Sequence, residues 1–302
     1  MEPQYPLIFF TLFLCLACGM LAIQGSLLVT GKGTRKFHLT TVVVEAVLLA
    51  LGGFSSFLHL HHWERIFNGF GHLSSGITQE LIGIVVTAVA LVIMFVVLRR
   101  SEAEGASEAR LARVRVGVLA LVVGVAMGFV CAHSYDMSSR PAWSNATLYL
   151  YYYASEFVLG AAGIWTVAAA LKQDEATGAL LARLTLVAGI VSAVVVIACG
   201  FYYTTITFAN VGIAFHTTAP TASAVNPEGA LASPMSGDAM GLFWGGAVLL
   251  GSLVAAACGF AGMKKPALSL RASACALVCA LAGGVCFRLV LYVVGVAYYV
   301  YF

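Results

Sequence analysis

The chain has 302 residues, of which 61% are hydrophobic and 10% are charged, and its formal net charge is +3. Soluble globular domains carry about 25% charged residues, so this composition excludes an ordinary soluble protein. The sequence also contains no basic nucleic-acid-binding patch, phosphate-binding glycine loop or nucleophile elbow. It is typical of an all-α, polytopic membrane protein.

Apolar stretches predict eight transmembrane helices, because a helix needs about 20 consecutive apolar residues to cross the hydrocarbon. The predicted spans of this single integral membrane domain (1–302) are residues 6–29, 39–60, 77–98, 115–136, 146–171, 180–205, 240–263 and 268–300. The opening stretch MEPQYPLIFF lacks the Lys or Arg that begins a secretory signal peptide, so we expect the first span to be retained.

Basic residues are distributed unevenly between the connections. Thirteen of the 16 follow spans one, three, five and seven: Lys32, Arg35, Lys36, Arg99, Arg100, Arg110, Arg113, Arg115, Lys172, Arg183, Lys264, Lys265 and Arg271. Basic residues near span ends favour the cytoplasmic side. The distribution therefore predicts that both termini lie on the outer face of the cytoplasmic (inner) membrane.

Eight cysteines all fall within the predicted spans. Cys275 and Cys279 are four residues apart, as metal ligands on a helix can be, but small packing residues are the simpler interpretation. We predict neither a disulfide framework nor a zinc site.

Polar residues gather where several spans are expected to reach the outer face. In chain order they are Ser55, Ser56, His59 and Arg65 at the end of span two, Glu80 in span three, Tyr135 and Trp143 after span four, Glu156 in span five, and Arg288 and Tyr292 in span eight. The tyrosines and Trp143 also fit an interfacial aromatic belt, and His59 fits an ordinary interfacial histidine. Ionisable groups within the membrane, however, usually line a polar cavity or pair with one another.

A polar pocket near one membrane surface suits the headgroup of a quinol. The quinol must pass on protons as its electrons leave, and a histidine with an ordinary pKa near 6.5 can accept a proton or hydrogen bond. An arginine can orient the acceptor or stabilise negative charge on the semiquinone. These features predict a quinol-binding site formed by the ten residues, with His59 as the candidate proton acceptor.

Three motifs in this order resemble the membrane anchor subunits of the dimethyl sulfoxide reductase family and, more distantly, the polysulfide and nitrite reductase anchors. The first motif is Ser55 or Ser56, His59-Leu60 and Arg65, followed by Ser75, Thr78 and Glu80; the second is Tyr135, Pro141 and Trp143; the third is Arg288 and Tyr292. The resemblance covers nearly the whole chain.

The resemblance implies a subunit that oxidises menaquinol near the outer face during anaerobic respiration, with His59 as its catalytic residue. It also implies two partners, a four-cluster iron-sulfur electron-transfer subunit and a molybdopterin catalytic subunit, with surrounding lipid and no nucleic acid. Menaquinone or menaquinol would be the bound substrate, and no haem or metal is expected in this chain. The chain by itself would reduce no terminal acceptor.

Three positions depart from the family pattern. The family's Gly-x-Pro after His-Leu is His61, His62 and Trp63, and an arginine before the second motif is His133. The acidic residue one turn before the last-span arginine is Gly284, and Glu156 is the candidate to replace it.

Two other functions fit parts of the sequence. His59 and His133 are the candidate axial ligands if the chain is a quinol-oxidising haem b cytochrome. A small-solute transporter is the second alternative, although transporters usually place polar groups near the midplane rather than at one end.

Overall fold

The computed structural model describes residues 3–58, 71–100, 106–207 and 233–295. Eight helical segments in these ranges are long and apolar enough to cross a membrane. They are α1 (Tyr5–Val29), α2 (Arg35–Phe57), α3 (Gly76–Arg100), α4 (Ala106–Ser134), α5 (Ala146–Ala170), α6 (Glu175–Thr205), a π-helical segment (Gly241–Val254) that continues into α7 (Ala255–Lys264), and α8 (Ser269–Val294). The predicted all-α architecture with eight spans is therefore confirmed.

Polar side chains fix where several helices begin. Thr34 accepts a hydrogen bond from the Phe37 amide at the start of α2, and Asn145 and Asp174 serve in the same way before α5 and α6. Such caps pair amide groups that the helix itself leaves unbonded. Because charged and polar first turns extend beyond the apolar stretches, α2 and α4 begin before the predicted starts at residues 39 and 115.

Helix α1 is the centre of the bundle. It packs against α2, α4 and α5, and more narrowly against α8. Most of its residues are buried, although its apolar residues show no preferred face. A helix that is hydrophobic all round is suited to a position surrounded by protein. The first four helices thus form one group around α1, and α5 links it to a second group that contains α6, the π-helical segment, α7 and α8.

Pairs of glycines bring neighbouring helices into backbone contact. Gly19 of α1 faces Gly160 of α5, and Gly251 of the π-helical segment faces Gly283 of α8. A Cβ atom at any of these four positions would collide with the backbone of the other helix. Small residues permit this close approach, which replaces the hydrophobic effect as a source of helix association in lipid.

The seventh span begins with a π-helical segment, in which backbone hydrogen bonds join residues five apart rather than four. The Ser252 hydroxyl donates to the Ala247 carbonyl five residues earlier, at 3.1 Å, and lies 2.9 Å from the Ser192 hydroxyl of α6. π-helices are usually single turns and are often found at functional sites. Here the segment spans 14 residues and places Ser252 against α6.

The bundle has two chemically different ends. At one end, Arg35 donates hydrogen bonds to the Leu98 and Arg99 carbonyls, and the Thr34 amide donates to Gln173 Oε1. The thirteen basic residues of the predicted inner connections lie at this end, either after a helix that ends there or near the start of the next helix. We call it the basic end. At the opposite end, the start of α1 meets the turn between α4 and α5 and the last turn of α8. We call it the cavity end.

Candidate functional site

A cavity of about 280 Å³ opens at the cavity end of the bundle. Four residues predicted from the sequence line it: Glu80, Tyr135, Trp143 and Tyr292. They come from α3, the turn after α4 and the last turn of α8, and the start of α1 completes the wall. We refer to this space as the end cavity. Its volume is close to the lower limit for small-molecule sites, about 300 Å³.

Glu80 supplies the carboxyl group of the end cavity. Its side chain is only 8% exposed, and the Ser134 hydroxyl donates a hydrogen bond to Oε1 at 2.5 Å. Glu80 lies in the second turn of α3, near the helix N-terminus, where the helix dipole favours negative charge. A carboxyl held by one hydroxyl keeps lone pairs for a ligand, so Glu80 can accept a proton or hydrogen bond from a molecule in the cavity.

Aromatic rings form another part of the cavity wall. The Trp143 ring meets Tyr292 edge to face, with centroids 5.8 Å apart, and meets Tyr135 at 6.1 Å. The Trp143 indole N–H donates to the Leu291 carbonyl at 2.8 Å, which ties the turn after α4 to α8. Because Trp143 and Tyr292 are buried, the interfacial-belt interpretation does not describe them. They form a packed wall that can contact a flat ring.

Tyr135 lies just outside α4 and joins this wall to α5. Its ring stacks on Tyr152 with centroids 6.0 Å apart. Burial raises the pKa of the Tyr135 phenol well above its ordinary value, with the nearby Glu80 carboxyl adding to the effect. The phenol therefore stays protonated at physiological pH and can serve as a hydrogen-bond donor.

Arg288 lies beneath the end cavity and is only 2% exposed. A small pocket of about 20 Å³ connects its level to Tyr135, Trp143 and Tyr292. The guanidinium donates to Thr11 Oγ1 at 2.8 Å and to the Tyr151 hydroxyl at 2.9 Å. Further acceptors are the Thr11 and Gly284 carbonyls, Ser155 Oγ and Cys15 Sγ. Among the described residues none of these partners is a carboxylate, so Arg288 adds positive potential below the cavity.

Glu156 does not form the expected contact with Arg288. Among the described residues the carboxyl of Glu156 is not a hydrogen-bond partner of the guanidinium, so the expected replacement of the acidic residue at Gly284 is not seen as a contact. Glu156 instead lines a second cavity of about 350 Å³, together with residues of α1, α4 and α6. The two acidic residues predicted for one site thus occupy two different cavities.

The remaining predicted residues lie elsewhere. Ser55 and Ser56 are half-buried in the last turn of α2, and the Ser55 hydroxyl donates to the Leu51 carbonyl of its own helix at 2.8 Å. Neither is among the described residues that line the end cavity. His59 and Arg65 lie outside the described residues.

His133, the second candidate haem ligand, has an exposed side chain at the end of α4. Its Nδ1 lies 3.1 Å from the Tyr149 hydroxyl, which donates to Asp136 at 2.8 Å, and its ring stacks on Phe129. In the part of the chain that the structure describes, no three His, Cys, Asp or Glu side chains lie close enough together to hold a metal ion.

Several residues of the site were missed in the sequence. Ser134 and Arg140 line the end cavity, and the Arg140 guanidinium lies 4.8 Å from the Trp143 ring while donating to the Gly295 carbonyl. Ser134 precedes Tyr135 and Arg140 precedes Pro141, so the second motif could have indicated both residues. The hydroxyl partners of Arg288 were harder to recognise in the sequence, because each is an isolated polar residue in an apolar helix.

The chain matches the model of a known protein family. The family described as DMSO reductase anchor subunit (DmsC) matches residues 1–293, essentially the whole chain. No curated protein matches the chain.

Proposed function

Because this chain belongs to the family of DMSO reductase anchor subunits, we propose that it binds menaquinol in the end cavity, oxidises it there and passes the electrons to an iron-sulfur subunit. The chain is a multi-pass membrane protein that anchors a DMSO reductase complex and works with that complex's catalytic and electron-transfer subunits.

The end cavity is the observation that carries this proposal. A quinol headgroup is a flat ring with two hydroxyl groups. The wall of Tyr135, Trp143 and Tyr292 offers ring contacts to its faces and edges, and Glu80 offers an acceptor for one hydroxyl. The cavity lies at one end of the bundle, where a quinol dissolved in the bilayer can bring its head to the surface.

Oxidation of one quinol to quinone releases two protons and two electrons. We assign one proton to Glu80 and the other to His59, the histidine that the family resemblance implicates. Positive potential from Arg288, which has no carboxylate among its described hydrogen-bond partners, favours negative charge on the ring as each proton leaves. The electrons leave one at a time for an iron-sulfur cluster of the partner subunit.

The arrangement of the complex follows from the charge distribution. Basic residues at the opposite end favour a cytoplasmic location for the basic end, so we assign the cavity end to the outer face of the inner membrane. The four-cluster iron-sulfur subunit and the molybdopterin catalytic subunit would dock there. In this proposal the chain holds menaquinol as substrate and carries no haem or metal of its own.

The test uses the assembled complex with two electron donors, menaquinol and an artificial donor that reduces the partner subunits directly. Loss of a general base commonly slows a reaction by about 100-fold or more, so Glu80→Gln and His59→Ala should each lower menaquinol-driven turnover to that extent. Artificial-donor turnover should be unchanged, because the partner subunits are intact.

Glu108→Gln is the matched control, since Glu108 is exposed near the start of α4 at the basic end. It should leave both activities unchanged. Full menaquinol-driven turnover in assembled Glu80→Gln would rule out the role given to this carboxyl, and the same result in His59→Ala would rule out the role given to the histidine.

A further inference from the structure

The second cavity, here called the lateral cavity, lies on the lipid-facing side of the bundle. It has a volume of about 350 Å³ and is bounded by α1, α4, α5 and α6. Val125, Leu150 and Val191 on its rim are exposed on the surface that faces lipid. A molecule dissolved in the bilayer can therefore enter it from the side without passing through water.

One ionisable group lines this apolar space. Glu156 is only 5% exposed, and among the described residues its carboxyl has neither a hydrogen-bond partner nor an ion pair. Gly128 of α4 makes room for it, because a Cβ there would collide with Glu156 Oε2. The absence of a side chain at Gly128 and the lack of a protein partner leave the carboxyl free to meet a ligand.

Depth in the membrane restricts what that ligand can be. Glu156 lies ten residues beyond Ala146, the first residue of α5, which corresponds to about 15 Å along the helix axis. This is half of the roughly 30 Å hydrocarbon thickness. Phospholipid headgroups and their ester carbonyls stay near the surface, so a ligand of Glu156 must carry its polar group to the middle of the bilayer.

The cavity offers two hydrogen-bond donors in an apolar space. An unpaired carboxylate is very costly in hydrocarbon, so Glu156 is protonated there and its O–H is a donor. Tyr153, one turn earlier on α5, also lines the cavity and carries a phenolic donor. Two donors in an apolar space fit a hydrocarbon molecule with carbonyl acceptors and no donors of its own.

We propose that the lateral cavity is a second quinone site, which binds the oxidised isoprenoid quinone through hydrogen bonds from Glu156 and Tyr153 to a ring carbonyl. This inference rests on the proposed function, since the quinone is the product of quinol oxidation in the end cavity. The quinol is the poorer ligand here, because its phenolic oxygens are weaker hydrogen-bond acceptors than the carbonyl oxygens of the quinone.

The experiment uses the full chain in phospholipid nanodiscs and a menaquinone analogue with a diazirine on its first isoprene unit. After illumination, labelled peptides are mapped by mass spectrometry. We expect labels in two places: around Leu150 and Val191 at the lateral cavity, and near Trp143 or Tyr292 at the end cavity. Reducing the probe to its quinol should weaken only the lateral labels.

Two matched tryptophan variants of α6 test whether the lateral cavity is occupied, and neither changes a residue of the protein core. Val191→Trp fills the lateral cavity from its rim, whereas Val194→Trp adds the same ring at a position that is 63% exposed and does not line the cavity. Lateral labelling should fall about fivefold or more in Glu156→Leu, which loses one hydrogen bond, and likewise in Val191→Trp. It should be unchanged in Val194→Trp and largely retained in Glu156→Gln, whose amide is still a donor.

Each contrary result has a defined meaning. Lateral labels that persist at full strength in Val191→Trp or Glu156→Leu would overturn the second site, as would equal labelling by the reduced probe. Competition by excess diacylglycerol as effective as competition by unlabelled menaquinone would identify a general lipid groove instead. Labels confined to the end cavity would overturn this inference alone, whereas labels confined to the lateral cavity would contradict the end-cavity assignment of the proposed function.

Discussion

Arg288 holds a positive charge inside the bundle with hydroxyl, thiol and carbonyl partners. A guanidinium directs its donors in a fixed plane, and the acceptors of α1, α5 and α8 are placed around that plane. Lysine would keep the charge, but its ammonium group cannot reach the same set of acceptors. The geometry of this residue therefore matters as much as its charge.

We expect Arg288→Lys to lower stability by about 3 kcal/mol or more, since several hydrogen bonds to a charged group are lost together. The thermal midpoint of the detergent-solubilised chain, followed by fluorescence-detected size-exclusion chromatography, measures the effect. Arg183→Lys, at an exposed position of α6, is the control and should leave the midpoint unchanged. Equal midpoints for the two variants would mean that the guanidinium network contributes little.

Glu45 is a third buried acid, and unlike Glu80 it lines neither cavity described above. It lies in the middle of α2 and is fully buried, and neither carboxyl oxygen has a hydrogen-bond partner among the described residues. An unsatisfied polar group of this kind costs about 1–3 kcal/mol. An apolar side chain of similar size removes that cost.

Glu45→Met should therefore raise the thermal midpoint, whereas Glu108→Met on the exposed first turns of α4 should not. The same size-exclusion assay provides the measurement. A lower midpoint for Glu45→Met would show that the carboxyl stabilises the fold through a partner or has a function that maintains it.

Contacts between small residues position the helices in this bundle. The rotation of each helix that these contacts require is the property that is hardest to predict from the sequence. Hydropathy locates all eight spans because each must cross the same thickness of hydrocarbon. Hydropathy does not give their rotation, since a helix in lipid can be apolar on every side. The convergence of Glu80, Trp143 and Tyr292 was predictable because each lies near a helix end. The separation of Glu156 from Arg288 depends on helix rotation and was not.

Two glycine-to-alanine substitutions should change stability in opposite directions. Gly160→Ala introduces a Cβ that collides with the Gly19 backbone and forces α1 and α5 apart. Gly178→Ala, near the start of α6, meets nothing within 4 Å and should stabilise by about 0.5–1 kcal/mol through helix propensity. Thermal midpoints of the two variants test this contrast. A neutral Gly160→Ala would show that the α1–α5 contact tolerates separation.

At the scale of the whole molecule, the unequal charge of the two ends predicts its orientation. The basic end should face the cytoplasm and the cavity end the outer side. Lys36 and Ser139 are exposed at the basic end and the cavity end, respectively. Each can therefore report which side of the membrane its end faces.

In a variant without native cysteines, Ser139→Cys should react with a membrane-impermeant maleimide added to intact cells. Lys36→Cys should react only after the cells are opened. Labelling of Lys36→Cys but not Ser139→Cys in intact cells would reverse the orientation and would move the proposed docking face to the cytoplasm.

The hydrogen bond between Thr11 and Arg288 joins residues 277 positions apart, and this separation has a consequence for biosynthesis. Helix α1 leaves the ribosome first and α8 last, so the central helix must wait in the membrane until nearly the entire chain has been made. Until then the hydroxyl of Thr11 has no guanidinium to bind, and Arg288 enters a bilayer that tolerates its charge poorly. Docking of the last helix should therefore be the step that commits the nascent protein to its native state, and chains truncated before Ser269 should be substrates for membrane quality control.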